Sequence, residues 1–118
     1  MDRSLEYAKM CEGAYPDIET IYRPVFSRRR RMLYTNGAKS VCRWDDVVNT
    51  SNYKHWWPLY EQDQLQEMVG EGIADWAGGI ECFYHNGEYP YECSWEMFWL
   101  CYVMDKKFNK TWNGKEWQ

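Results

Sequence analysis

The chain has no long hydrophobic run and only two histidines in 118 residues. No stretch approaches the roughly 18 continuous apolar residues of a membrane span, and the N-terminal segment lacks the apolar core of a signal peptide. We therefore expect a cytoplasmic protein. Its five cysteines are odd in number and irregularly spaced, which in a reducing compartment predicts free, mostly buried thiols rather than a disulfide framework.

The sequence also lacks the motifs that catalysis and cofactor binding need. Its glycines match neither the phosphate-binding loop nor the dinucleotide-binding spacing, and no nucleophile motif accompanies His55 or His85. Cys82 and His85 have the spacing of half a zinc site, but a second compact pair is missing, and alternation along a strand would direct the two side chains to opposite faces. We predict no enzyme activity, no metal and no cofactor.

The composition is that of one globular domain spanning residues 1–118. Hydrophobic residues make up 45% of the chain and charged residues 27%, whereas disordered chains are depleted in the former. Aromatic residues reach 19%, with eight tryptophans and ten tyrosines. Such a set predicts a core of large amphipathic rings, some of which stay exposed at the surface.

The first half of the chain predicts a helix followed by a hairpin. Apolar spacing favours a short helix over residues 2–12, ended by Gly13 and by Pro16 soon after. An Asn-Gly pair at residues 36–37, flanked by apolar residues, is the strongest short-range hairpin signal and predicts a returning strand at residues 40–44.

The second half predicts two helices around a second hairpin. One helix starts near Glu61 and ends at Gly70, and the other is capped by Ser94 and runs from Trp95 to about Phe108. Between them, residues 80–85 and 89–93 are interpreted as strands joined by a tight Asn-Gly turn. Because the last helix is apolar almost all around, we expect it at the centre of the core.

A small turn at the C-terminus is expected to fold Trp112 and Trp117 back onto the domain. Together these patterns predict an α+β fold, in which hairpins form a small antiparallel sheet packed with two to three helices.

Two runs in the second half resemble those of small proteins encoded in phages and prophages of Gram-positive bacteria. They are WWPLYEQDQLQEM, from Trp56 to Met68, and SWEMFWLCYVMDKKFNKTWNGKEW, from Ser94 to Trp117. The shared features are a W-x-P followed by a D/E-Q-L-x-E-M helix, and a final helix that ends in W-x-G-x-x-W. The resemblance implies an α/β sandwich and an accessory role in phage biology, and it brings no active site with it.

A basic run in the first half, Arg28, Arg29, Arg30 and Arg31, is one candidate for contacts with phosphates. On a strand at most two of these side chains share a face, and we favour the interpretation as a solvated loop or as an edge strand kept from pairing by its charge. The net charge of −4 also argues against nucleic acid as the main ligand.

An acidic segment in the second half is the stronger candidate. From Glu61 to Glu96 the chain has nine carboxylates and no lysine or arginine. We predict that this segment forms an acidic, aromatic-rich surface that binds a partner. Its candidate residues are Glu61, Asp63, Glu67, Glu71, Asp75, Trp76, Glu81, Tyr84, Glu88, Tyr89, Tyr91 and Glu92. Solubility, or ion pairs with the arginine run, are the alternative explanations.

The leading functional hypothesis is therefore a phage or prophage anti-defence protein, for example an anti-CRISPR, that blocks the nucleic-acid site of a host effector. Aromatic anchors would supply the buried contacts, and carboxylates would replace phosphates. Two alternatives remain open: a nucleic-acid-associated accessory protein that uses the arginine run, and a small-molecule sponge or sensor with a pocket of tryptophan and tyrosine side chains for a nucleotide signal.

Overall fold

The computed structural model describes residues 4–22, 33–35, 41–43, 57–70 and 73–118, of which 41–43 and 73–76 are described by their backbone alone. The elements in chain order are α1 (Leu5–Ile18), β1 (Leu33–Thr35), β2 (Val41–Arg43), β3 (Trp57–Pro58), α2 (Gln62–Val69), α3 (Ile73–Asn86) and α4 (Trp95–Phe108).

Helix α4 forms the centre of the core, as its sequence predicts. It begins at Ser94, whose hydroxyl accepts a hydrogen bond of 3.1 Å from the backbone N–H of Met97, and it ends at Asn109, which adopts the left-handed conformation. Eight consecutive residues, 97–104, are buried. Both α1 and α2 pack against this helix, which explains why it is apolar on nearly all sides.

Helix α1 is longer than its sequence predicts. Residues 2–12 were the expected span, but the helix continues through Gly13 and Pro16 to Ile18, so the predicted end is wrong. Its inner face carries completely buried side chains at helical spacing: Tyr7, Met10, Ala14 and Ile18. Burial of such side chains outweighs the cost of about 1 kcal/mol for a glycine and about 3 kcal/mol for a proline in a helix.

A small antiparallel sheet has the strand order β2-β1-β3. Leu33 pairs with Arg43 and Thr35 pairs with Val41, so the two strands of the predicted first hairpin are confirmed. Its Asn-Gly turn lies outside the described residues. Pro58 is placed on an edge strand, where its missing N–H costs the sheet little.

Helix α2 confirms the prediction of a helix between Glu61 and Gly70. The backbone N–H of Glu61 donates to the side chain of Gln64 at 2.9 Å, as in a capping box, and Gly70 ends the helix with a φ of 65°. Leu65, Met68 and Val69 are buried against α4. This is the amphipathic face that the sequence pattern indicates.

Helix α3 contradicts the second predicted hairpin. Residues 80–85 are helical rather than extended, and the Asn-Gly pair that was expected to form a tight turn ends the helix at Asn86. The helix packs on α4 through Phe83, whose ring lies 5.4 Å from the rings of both Phe98 and Tyr102. Because this packing needs Phe83 on a helical face, tertiary contacts override the strand propensity of the aromatic and β-branched residues.

The C-terminal tail folds back on the domain as predicted. Trp112 and Trp117 form an isolated antiparallel bridge, and their rings pack at a centroid distance of 5.3 Å. The indole nitrogen of Trp117 donates to a carbonyl oxygen of α1, and Lys110 pairs with Asp17 at 2.6 Å. The tail therefore closes over α1.

The fold is α+β, as expected. The described part contains four helices rather than two to three, since α3 replaces the second hairpin. None of these helices is both long and apolar enough to cross a membrane.

Candidate functional site: an acidic and aromatic groove

The segment between α3 and α4 brings aromatic side chains together at the N-terminal end of α4. The ring of Tyr89 packs 5.6 Å from Phe83 and 5.0 Å from Phe98, and its hydroxyl donates to the backbone oxygen of Tyr84 at 2.6 Å. These contacts fix the course of the segment across the end of the helix pair.

A depression with a volume of about 260 Å³ lies among these rings. Phe98 is buried and forms its floor, and Tyr89 and Trp95 meet the Phe98 ring nearly at right angles, at 81° and 89°. Tyr84, Tyr91, Cys93 and Ser94 complete the lining. The surface of the depression is therefore mostly aromatic, with few polar groups.

The side chains around this depression are unusually exposed for their size. Tyr91 is 98% exposed, Trp95 is 65% exposed and Tyr84 is 60% exposed. A cluster of large exposed rings has a cost in water, and on soluble proteins such clusters commonly mark binding surfaces. These exposed rings therefore make the surface a candidate binding site.

Carboxylates line two hollows that adjoin the aromatic depression. One adjoining hollow shares Tyr89 with it and is also lined by Glu6 and Glu88. The other shares Cys93, Ser94 and Trp95 with it and is also lined by Glu92 and Glu96. The described residues that line the three hollows include no lysine or arginine. We call the three together the acidic-aromatic groove.

Five of the residues proposed from sequence lie in this groove: Tyr84, Glu88, Tyr89, Tyr91 and Glu92. They come together because α3 ends at Asn86 and the chain then crosses in front of α4. These five of the residues predicted to form an acidic, aromatic-rich surface therefore do lie on one surface.

The carboxylates of α2 are placed elsewhere and have local roles. Glu61 caps the helix, Asp63 lies in its first turn beside the positive end of the dipole, and Glu67 accepts a hydrogen bond of 3.4 Å from the hydroxyl of Tyr22. None of the three lines the groove, and neither does Glu81, which is exposed on α3. The single continuous patch expected from the sequence therefore does not include them.

Several other predicted residues lie outside the described part. These are Glu71 and the basic run Arg28, Arg29, Arg30 and Arg31. Asp75 and Trp76 belong to α3, but their side chains are not described. The proposed pairing of the arginines with the acidic segment stays a prediction.

Sequence reasoning missed Trp95, Phe98 and Glu96 as members of the site. All three belong to the first turns of α4, a helix that was expected to lie at the centre of the core. Side chains of a helix point toward its N-terminus, so a residue in the first turn reaches over the end of the helix toward the preceding loop. A tryptophan immediately after an N-cap serine was the signal for a surface ring.

The Cys82 and His85 pair is arranged differently from the prediction. Both are on α3, where residues three apart share a face, so the argument from strand alternation is wrong. Both side chains are exposed. Among the described residues no group of three histidine, cysteine or acidic side chains is placed to hold a metal ion.

The described thiols are all free of disulfide bonds: Cys11 and Cys101 are buried, Cys93 is half-buried and Cys82 is exposed. Burial raises the pKa of the Cys93 thiol, which lines the groove as an uncharged group at neutral pH. Desolvation, with a smaller effect from Tyr84, raises the pKa of the Tyr89 phenol. The only charges that line the groove among the described residues are its carboxylates.

No family model matches the chain, and no match was found among curated proteins or solved structures.

Proposed function

We propose that this protein is a binding protein that docks on the basic surface of a partner protein through its acidic-aromatic groove. The observation that carries the proposal is the exposure of Tyr91 and Trp95 beside Glu92, in a groove whose described lining has no basic side chain. Aromatic anchors typically provide most of the affinity of an interface, and surrounding charges accelerate and orient association.

The phage resemblance supplies the class of partner. Phage accessory proteins act in the bacterial cytoplasm, where nucleic-acid-binding defence enzymes expose basic grooves. Carboxylates placed around the aromatic anchors would take the positions of phosphates in such a groove. The proposed role is therefore stoichiometric anti-defence activity, such as anti-CRISPR inhibition, without a chemical step by this chain.

The acidic lining favours this role over the sponge for a nucleotide signal. Four carboxylates around the aromatic depression would repel a phosphate-bearing ligand, because like charges at close range are unfavourable. The nucleic-acid accessory role depends on the arginine run instead. It predicts duplex or single-strand binding that weakens steeply with salt.

The test compares two sets of charge reversals in cells that carry a CRISPR or other nuclease defence. The first set is Glu88→Lys with Glu92→Lys in the groove, and the second is Asp63→Lys with Glu67→Lys on α2. The measurement is the efficiency of plating of a targeted phage, together with direct binding of the purified defence enzyme.

We expect wild-type protein to restore plating and to bind the enzyme. The groove pair should abolish both effects, while the α2 pair, which makes the same change in net charge, should preserve them. If the groove pair binds and protects as well as wild type, the groove is not the docking surface. If the α2 pair alone abolishes protection, the docking surface is on α2 and not in the groove.

A further inference from the structure

We infer that the aromatic depression at the centre of the groove is a receptor for the guanidinium group of an arginine side chain on the partner. This inference rests on the proposed function, since it specifies which chemical group of a basic partner surface enters the site.

The shape and lining of the depression select a flat, partly apolar group. Phe98 closes the bottom, while Tyr89 and Trp95 stand nearly perpendicular to it on two sides. The Tyr84 and Tyr89 rings are inclined by only 21°, with their centroids 6.5 Å apart, so two aromatic planes on one side share an orientation. A volume of about 260 Å³ is sufficient for one long side chain.

The charges around the depression select a cation. Aromatic faces carry negative potential and attract cations within about 6 Å of the ring centre. Glu88 lines one adjoining hollow, and Glu92 and Glu96 line the other. A cation on the rings would thus lie next to hollows that are lined by carboxylates, and the described lining contains no basic residue that would compete for them.

Arginine satisfies both requirements better than lysine. Its guanidinium is planar and weakly hydrated, it stacks on aromatic faces, and its peripheral N–H groups can donate to carboxylates while it is stacked. A lysine ammonium is compact and strongly hydrated, so it would lose more hydration on entering a mostly apolar depression. The combination of stacked rings and flanking carboxylates therefore indicates arginine.

The experiment uses three capped tripeptides as probes: Gly-Arg-Gly, Gly-Lys-Gly and Gly-citrulline-Gly. Citrulline has nearly the shape of arginine without its charge. Each probe is titrated into the full chain, and chemical shifts of the Trp95 indole N–H and of the tyrosine rings are followed by NMR. We expect saturable shifts with the arginine probe, binding at least about 3-fold weaker with lysine, and no saturable shift with citrulline.

Variants locate the effect. Tyr91→Ala and Trp95→Ala should each weaken arginine binding by about 2- to 5-fold, and Glu92→Gln should weaken it and make it less dependent on salt. Glu19→Gln is the matched control for charge and should bind like wild type. Since Tyr91 is almost fully exposed, its variant remains informative even if Trp95→Ala perturbs the end of α4.

The outcomes separate this inference from the proposed function. Equal binding of the arginine and lysine probes, equal binding of arginine and citrulline, or no saturable shift with any probe would each overturn the arginine receptor. In those cases the plating and enzyme-binding results of the groove variants still decide the proposed function independently.

Discussion

The indole nitrogen of Trp117 donates a hydrogen bond of 2.9 Å to the backbone carbonyl oxygen of Met10, and this bond joins the end of the chain to the middle of α1. The same indole lies over Gly13, where a Cβ atom would be 3.0 Å from its Cδ1 atom. The sequence context of Gly13 predicts the end of a helix. In the structure the helix continues, and Gly13 is the position at which α1 accommodates the Trp117 indole.

This arrangement predicts a dependence of Gly13→Ala on residue 117. In the Trp117→Ala background, alanine at position 13 should raise the free energy of unfolding by about 0.5 to 1 kcal/mol, since alanine is the better helix former. In the wild-type background the displaced indole should cancel or reverse that gain. Urea denaturation of the four proteins of the cycle provides the coupling energy. A coupling below about 0.3 kcal/mol would show that the indole does not constrain this position.

The hydrogen bond itself is tested by Trp117→Phe, which keeps an aromatic ring and removes the N–H donor. We expect a loss of about 1 kcal/mol in the free energy of unfolding. Lys115→Ala, in the exposed part of the same turn, should change it by less than about 0.5 kcal/mol. A Trp117→Phe protein as stable as wild type would mean that the hydrogen bond to the Met10 carbonyl oxygen does not contribute to stability.

Two adjacent glycines of α3, Gly78 and Gly79, have different surroundings. A Cβ atom on Gly78 would meet nothing within 4 Å, whereas one on Gly79 would lie 2.3 Å from the hydroxyl oxygen of Tyr102. We expect Gly78→Ala to stabilise the protein by about 0.5 to 1 kcal/mol and Gly79→Ala to destabilise it by about 1 to 3 kcal/mol. Thermal and urea unfolding of the two variants check this. Equal effects would show that α3 is not packed closely on α4.

The glycines also explain which parts of the fold could be predicted from the sequence. Helix α4 was predicted with its ends, because Ser94 and the apolar spacing after it are local signals. Helix α3 was missed since Gly78 and Gly79 suggest an interruption, and the adjoining Ile80 and Phe83 have strand propensity. The close approach to Tyr102 that requires a glycine is a tertiary contact, which local propensity does not contain.

The candidate site was predictable to a similar extent. The acidic and aromatic composition indicated residues 84–92, but both ends of this stretch were assigned to strands of a hairpin. The course of the chain past the start of α4, which puts Glu88 and Glu92 in two hollows that adjoin the aromatic depression, depends on where α3 ends. Composition thus indicated the residues of the surface, and only the packing of α3 on α4 determined its shape.

Alkaline pH should destabilise the fold through Cys101. Burial, with a contribution from Cys93, raises the pKa of this thiol from 9.0 to about 12. The unfolded chain therefore loses a proton near pH 9 that the folded chain keeps, so the free energy of unfolding is unaffected by this group below pH 9 and falls as the pH rises toward 12. At pH 10 the loss should be about 1 kcal/mol.

Urea unfolding of wild type and Cys101→Ala at pH 7, 8, 9 and 10 measures this effect. The variant should lose less stability than wild type between pH 8 and 10, whatever its stability at pH 7. Parallel pH profiles of the two proteins would contradict a raised pKa at this thiol. Burial also raises the pKa of Tyr60 well above 10, but this tyrosine is present in both proteins, so its contribution cancels in the comparison.

The groove should be separable from the stability of the fold. Tyr91→Ala and Tyr84→Ala remove rings that are largely exposed, so each should change the free energy of unfolding by less than about 0.5 kcal/mol. Phe98→Ala removes the buried floor of the depression and should cost about 3 to 5 kcal/mol. Urea denaturation tests all three variants. A large loss of stability in Tyr91→Ala would mean that this ring supports the fold. In that case its exposure would no longer argue for a partner, because selection for stability alone would explain why a tyrosine occupies the position.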